Sequence, residues 1–134
     1  MSSKTKKTVL IVDDDEDFLL QQKVYLEKEG FDVLTADSQQ QAEEMLEQTC
    51  PDLAVVDLMM EHKDAGFVLC NHIKKRYASM PVILVSAVAR ETGMNFDVDT
   101  AEERSWIKAD AMFAKPVRFE QLKREIDRLL EMNS

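Results

Sequence analysis

Short runs of β-branched and aliphatic residues alternate along this chain with stretches whose apolar residues recur at helical spacing. Thr8 to Val12, Phe31 to Thr35, Leu53 to Val56, Val82 to Val85 and Ala111 to Ala114 read as five strands. Three of them are almost continuously apolar, which suits strands covered on both faces of a parallel sheet. Between the strands the period changes. Phe18, Leu19, Tyr25 and Leu26 make one side of a first helix, with Gly30 as its stop. Ser38 and Gln41 form a capping-box pattern ahead of Ala42, Met45 and Leu46, predicting a second helix that ends near Cys50 and Pro51. Phe67, Leu69, Cys70, Ile73 and Tyr77 predict a third, and Thr100 with Glu103 open a short fourth through Trp106 and Ile107. Leu122, Ile126, Leu129 and Leu130 give a fifth. Strands and helices in strict alternation predict a single α/β domain, a doubly wound five-stranded parallel sheet with five helices and right-handed crossovers, its core over about residues 8–131.

Length and charge narrow what such a domain does. A chain of 134 residues buries roughly two thirds of its unfolded surface, enough for a core without disulfides or a structural metal. Its net charge of −9 opposes a phosphate backbone, so nucleic acid is not expected as a direct partner. The three glycines, Gly30, Gly66 and Gly93, lie too far apart to cradle a dinucleotide or nucleoside triphosphate. Cys50 and Cys70 with His62 and His72 match no zinc spacing and read as free thiols of a reducing compartment. The apolar run after the N-terminal lysines stops at Asp13, too short for a signal-peptide core or a membrane span, so a cytoplasmic location away from membranes is expected.

Ligands of open α/β sheets bind outside the carboxyl ends of the strands. There the first strand runs into Asp13, Asp14 and Asp15, the third into Asp57, the fourth into Ser86 and the fifth into Lys115-Pro116. Converging carboxylates repel one another unless a cation neutralises them. With only oxygen ligands on offer, the set selects a hard ion, and few ligands with open water positions favour Mg²⁺. A lysine and a hydroxyl on the other side complete a pocket for a tetrahedral oxyanion, the arrangement of phosphoryl transfer. Each part also has a plainer reading. The acidic run from 13 to 17 suits a first helical turn, Asp57 a cap or turn, Ser86 a turn hydroxyl, and Lys115 a loop charge. The joint occurrence at four strand ends favours the pocket.

With these residues in place the sequence resembles a receiver domain of two-component response regulators over nearly its whole length. VLIVDDDEDF is similar to that family's first strand with its acidic pair, PDLAVVDLMM to its phosphoacceptor strand, VILVSA to its hydroxyl strand and FAKP to its lysine-proline element. The resemblance implies a flavodoxin-like strand order 2-1-3-4-5 and a phosphorylatable switch of a phosphorelay that is not an enzyme beyond assisting its own phosphorylation and dephosphorylation. It implies Asp57 as phosphoacceptor, with Asp13, Asp14, Asp57 and the backbone carbonyl of Met59 around Mg²⁺. Ser86 and Lys115 would hold phosphoryl oxygens, and the Lys115-Pro116 peptide would be cis. The donor would be a phosphohistidine on a sensor kinase or histidine phosphotransfer protein. The chain ends at Ser134 without room for an output domain, so a stand-alone receiver acting on a downstream protein is expected, with a homodimer through the last sheet edge and last helix left open.

Several positions depart from the family pattern. Met112 stands at the usual aromatic switch position, and strand alternation puts its neighbour Phe113 on the opposite face, in the core. Lys108 replaces a common glycine. The loop LMMEHKDAGF has Glu61 where proline is common and one extra residue before Gly66. The stretch between Ser86 and Lys115 is longer than usual, and this insertion around 88–107 is expected to set partner choice, with Trp106 as a buried plug beneath it or an exposed anchor. Two other functions fit parts of the pattern. A docking module with a vestigial pocket is compatible with Met112. A Mg²⁺-dependent aspartyl phosphatase would want a second acid two residues after the nucleophile, where Met59 stands.

Overall fold

A computed structural model describes residues 7–57, 65–86, 110–114 and 117–132. Five parallel strands, β1 (Thr8–Val12), β2 (Asp32–Ala36), β3 (Leu53–Asp57), β4 (Val82–Ser86) and β5 (Ala111–Ala114), form one sheet in the order β2-β1-β3-β4-β5. Four helices accompany them among the described residues: α1 (Glu16–Lys28), α2 (Gln39–Gln48), α3 (Ala65–Arg76) and α4 (Phe119–Met132). The expected helix through Trp106 and Ile107 lies outside the described residues.

Pleating splits the apolar strand residues between two cores. Leu10, Val12, Ala54, Val56 and Leu84 face α2 and α3, where Leu46, Leu69 and Ile73 meet them. Val9, Ile11, Val55, Ile83 and Val85 face α1 and α4, where Leu26, Leu122 and Ile126 meet them. Each fully buried aliphatic side chain contributes about 1.5–3 kcal/mol, and this two-sided burial explains why β1, β3 and β4 carry no polar alternation, unlike the edge strand β2. Met112 and Phe113 divide in the same way, one against each core, as alternation predicts.

The strand limits move slightly from those read in the sequence, for identifiable reasons. Gly30 adopts φ 94, a left-handed conformation that closes α1. Phe31 N–H then donates to the Leu26 carbonyl (3.1 Å), so Phe31 belongs to the helix exit and β2 starts at Asp32. At the other end β3 extends to Asp57, which pairs with Val85, and β4 to Ser86, which pairs with Ala114. Both polar residues are therefore the last residues of strands rather than the first of loops.

Helix α2 is capped as its sequence predicts. The Ser38 hydroxyl accepts from Gln41 N–H (3.1 Å), while Gln41 Oε1 accepts from Asp37 N–H (2.7 Å), one residue before the cap. Helix α1 corrects the expected face. Leu19, Gln22 and Leu26 are its buried residues, whereas Tyr25 is 43% exposed and meets the Phe119 ring of α4, 4.9 Å away between centroids. Positions 19, 22 and 26 follow the helical repeat, and 25 falls on the flank. Gln22 is thus a polar side chain in an apolar interface, and its Oε1 finds no hydrogen-bond partner among the described residues. An unmatched buried amide oxygen costs about 1–3 kcal/mol. Gln22→Leu is expected to raise stability by about 1 kcal/mol or more, read as a higher denaturation midpoint at unchanged m-value.

The amino ends of β4 and β5 are tied to α3 by one carboxylate. Asp110 Oδ2 accepts from Lys74 Nζ (2.7 Å) and from Val82 N–H (2.8 Å), and Lys74 also donates to the Met80 carbonyl (2.7 Å). Asp110→Ala is expected to cost about 2 kcal/mol, because the Val82 N–H and the Lys74 ammonium lose a shared charged acceptor. Urea denaturation measures it. On the other sheet face Lys123 of α4 bonds Asp127 (2.7 Å) and reaches Glu29 beyond the end of α1 (3.7 Å). The Asp127 hydrogen bond, aided by attraction to Asp127 and Glu29, raises the Lys123 pKa above its ordinary 10.5. Its contribution is therefore present below that pH and fades in stronger alkali.

Candidate functional site

Strand register assembles the acidic group. In the parallel pairing of β1 with β3, Val12 lies opposite Val56, so the next residues, Asp13 and Asp57, emerge side by side on neighbouring strands about 4.8 Å apart. They share pleat parity with Ile11 and Val55. Asp13 N–H donates to the Ala36 carbonyl of β2 (3.1 Å), which fixes the turn out of β1. Asp13 and Asp57 are 1% and 6% exposed, respectively, while Asp14 is exposed. One carboxylate oxygen from each of Asp13, Asp14 and Asp57 lies within 4.8 Å of the others.

The acidic run that reads as a unit in the sequence has two jobs in the structure. Asp13 and Asp14 turn toward Asp57. Asp15 instead caps α1, its carboxylate accepting from Asp17 N–H (3.0 Å) and Phe18 N–H (3.3 Å), with Glu16 and Asp17 in the first turn where the helix dipole favours them. Asp13 Oδ1 accepts from Asp15 N–H (2.9 Å), so the pocket acid also shapes the turn that starts the helix. The run thus divides between two places, two acids beside Asp57 and the rest at the start of α1, and the change from strand to helix after Asp14 separates them.

Three oxygen donors that converge with two of them buried suit a hard divalent cation such as Mg²⁺, which takes carboxylate and water oxygens. Neither a thiolate nor an imidazole belongs to this group. Ser86 ends β4 one position beyond the level of Asp57, since Asp57 pairs with Val85; its side chain lies outside the described set. Met59, Lys115 and Pro116 also lie outside the described residues, as do the 88–107 insertion and Trp106. Met112 packs against the α2/α3 core from β5. Cys50 is exposed and Cys70 is buried. No helix among the described residues is long and apolar enough to cross a membrane.

An exposed apolar strip runs along α1. Leu20 on α1, five residues after the capping Asp15, is 62% exposed, and Val24 and Tyr25 continue the exposed apolar strip along the helix. Spacing would have found it, because Leu20 and Val24 are four apart on the side opposite Leu19, Gln22 and Leu26.

The sequence model of the response regulator receiver domain matches residues 9–127. Among curated proteins, the heme response regulator HssR of Staphylococcus aureus (strain MRSA252) is 36% identical over 114 residues, which is 84% of this chain and 46% of the relative. The alkaline phosphatase synthesis transcriptional regulatory protein PhoP of Bacillus subtilis is 32% identical over 85 residues, 63% of this chain and 35% of the relative. This chain thus spans less than half the length of these relatives. Among solved structures, the CheY-like response regulator receiver domain protein of Methanospirillum hungatei JF-1 superposes with a TM-score of 0.79 at 27% identity, covering 96% of each chain.

Proposed function

The chain belongs to the response regulator receiver family of two-component signalling, and on that premise we propose that it is a phosphorylatable switch whose phosphoacceptor is Asp57. Receiver domains are signalling phosphoacceptors rather than turnover enzymes, they interact with histidine kinases or phosphotransfer partners, and they generally bind Mg²⁺ through an acidic pocket. The observation that carries the reading for this chain is the convergence of Asp13, Asp14 and Asp57 within 4.8 Å at the carboxyl ends of β1 and β3.

A carboxylate of Asp57 attacks the phosphorus of a phosphohistidine donor. The new O–P bond forms as the P–N bond breaks, and the imidazole leaves with the electron pair, giving an acyl phosphate on Asp57. Water attacking the same phosphorus returns the carboxylate and inorganic phosphate. Bound Mg²⁺ supplies charge neutralisation on the phosphoryl oxygens and between the acids; Asp13, Asp14, Asp57 and the Met59 carbonyl are its proposed ligands. Asp13 also holds the β1–α1 turn through Asp15 N–H, which keeps the acids aligned. Ser86 and Lys115 are assigned to phosphoryl oxygens, and Met112 to the position from which β5 senses them. Output is a change of binding surface toward a downstream protein, in the cytoplasm.

The test is incubation with Mg²⁺ and a small acyl phosphate, followed by intact mass. One added phosphoryl group that requires Mg²⁺ supports the switch. No adduct favours a docking module, and sustained turnover of unrelated phosphate esters favours a phosphatase. The exposed strip of α1 beside the pocket suits a helical protein donor. Leu20→Asp is therefore expected to slow transfer from a phosphohistidine protein about tenfold while leaving small-molecule phosphorylation unchanged. Equal rates for both donors would remove α1 from the docking surface.

A further inference from the structure

Helices α2 and α3 share one face of the sheet and carry opposite charge. Glu43, Glu44 and Glu47 are the ionised residues of α2, and Lys74, Lys75 and Arg76 those of α3. Between the two helices lies a groove of about 370 Å³. Its floor is apolar, from Leu46, Ile73 and Tyr77, whose hydroxyl donates to the Leu46 carbonyl (2.7 Å). One wall is acidic, from Glu43 and Glu47, and the other basic, from His72, Lys75 and Arg76. One side-chain contact bridges the walls among the described residues, His72 Nδ1 to Glu43 Oε2 at 3.0 Å. Glu47 and Lys75 line the groove without an ion-pair partner among those residues.

The geometry points to a second copy of this chain as the occupant of that groove, in a two-fold dimer through α2 and α3. Both helices connect successive parallel strands, so both run in the same direction along the sheet. A two-fold axis lying along the groove then sets each α2 opposite the partner's α3, at the same height and with like ends together. Every acidic wall meets a basic wall, and the contact is self-complementary as an isologous interface must be. Charge favours this face. The chain carries a net −9, yet the formal charges of α2 and α3 cancel, so these two helices bring no net repulsion into the contact. The helix ends that line the groove sit at the amino edge of the sheet, away from Asp13 and Asp57, which leaves the acidic pocket open to a donor in the dimer.

Sedimentation equilibrium from micromolar to millimolar protein tests the proposal. The wild-type chain is expected to show a monomer–dimer equilibrium that weakens between ~0.05 M and ~0.5 M salt. Lys75→Glu with Arg76→Glu, which gives two acidic walls, and Glu43→Lys with Glu47→Lys, which gives two basic ones, are each expected to weaken self-association about tenfold or more. Mixing the two variants is expected to restore a one-to-one dimer, because acidic walls then face basic ones on both sides. A wild-type chain that stays monomeric throughout overturns the proposal. So does a dimer indifferent to salt and to both reversals, as one through the β5 edge and α4 would be.

Discussion

Asp57→Asn is expected to abolish phosphorylation by a small acyl phosphate while leaving the fold intact. Asparagine matches aspartate in shape, and the backbone pairing of position 57 with Val85 that closes β3 onto β4 does not involve the side chain. The carboxamide is a poor nucleophile, and no other carboxylate of the acidic group is placed equivalently: Asp13 is committed to the Asp15 N–H and Asp14 is the exposed member. The wild-type chain should gain one phosphoryl group and the variant none, by intact mass, with matching far-ultraviolet circular dichroism. A phosphorylated variant would mean that a different residue accepts the group and would remove Asp57 from its role.

Asp13→Asn should remove the stabilisation that Mg²⁺ gives. A ligand that binds only the folded state at one hundred times its Kd adds about 2.7 kcal/mol, or about 8 °C in Tm for a domain of this size. The wild-type chain is expected to show a shift of that order in a Mg²⁺ titration and the variant little or none. Asparagine keeps an oxygen that can accept the Asp15 N–H bond, so the turn into α1 survives. Without Mg²⁺ the variant should be no less stable than the wild type, since one of three crowded negative charges is gone. A variant that is strongly destabilised without metal would show that Asp13 serves the turn more than the cation.

Most of this architecture was readable because two-sided burial writes itself into the chain. Strands such as LAVV and VILV are apolar throughout, and the helices between them carry their own stops and caps at Gly30 and Ser38. Harder to read were features set by partners distant in sequence. Asp57 and Ser86 are strand residues because Val85 and Ala114 pair with them, and Phe31 leaves β2 because it bonds back to Leu26. Tyr25 misleads as an aromatic at near-helical spacing, while the buried Gln22 breaks a pattern that composition would have made apolar. Within DDDED no local signal separates the two pocket acids from the cap; the division depends on where β1 ends, which the bond from Asp13 N–H to Ala36 determines. The charge segregation of α2 and α3 was legible by counting, but its meaning required knowing that the two helices are neighbours.

Val12 pairs with Val56 one position before the two acids. Because the acid pair is created by register between two adjacent central strands, insertions and deletions away from the turns that directly follow β1 and β3 leave it in place. A slip of one residue in β1, by contrast, turns Asp13 to the other side of the sheet and separates the pair. Chemistry and signalling surface are thus separately adjustable: engineered insertions between the helices and strands should retune recognition while the reactive pair keeps its geometry.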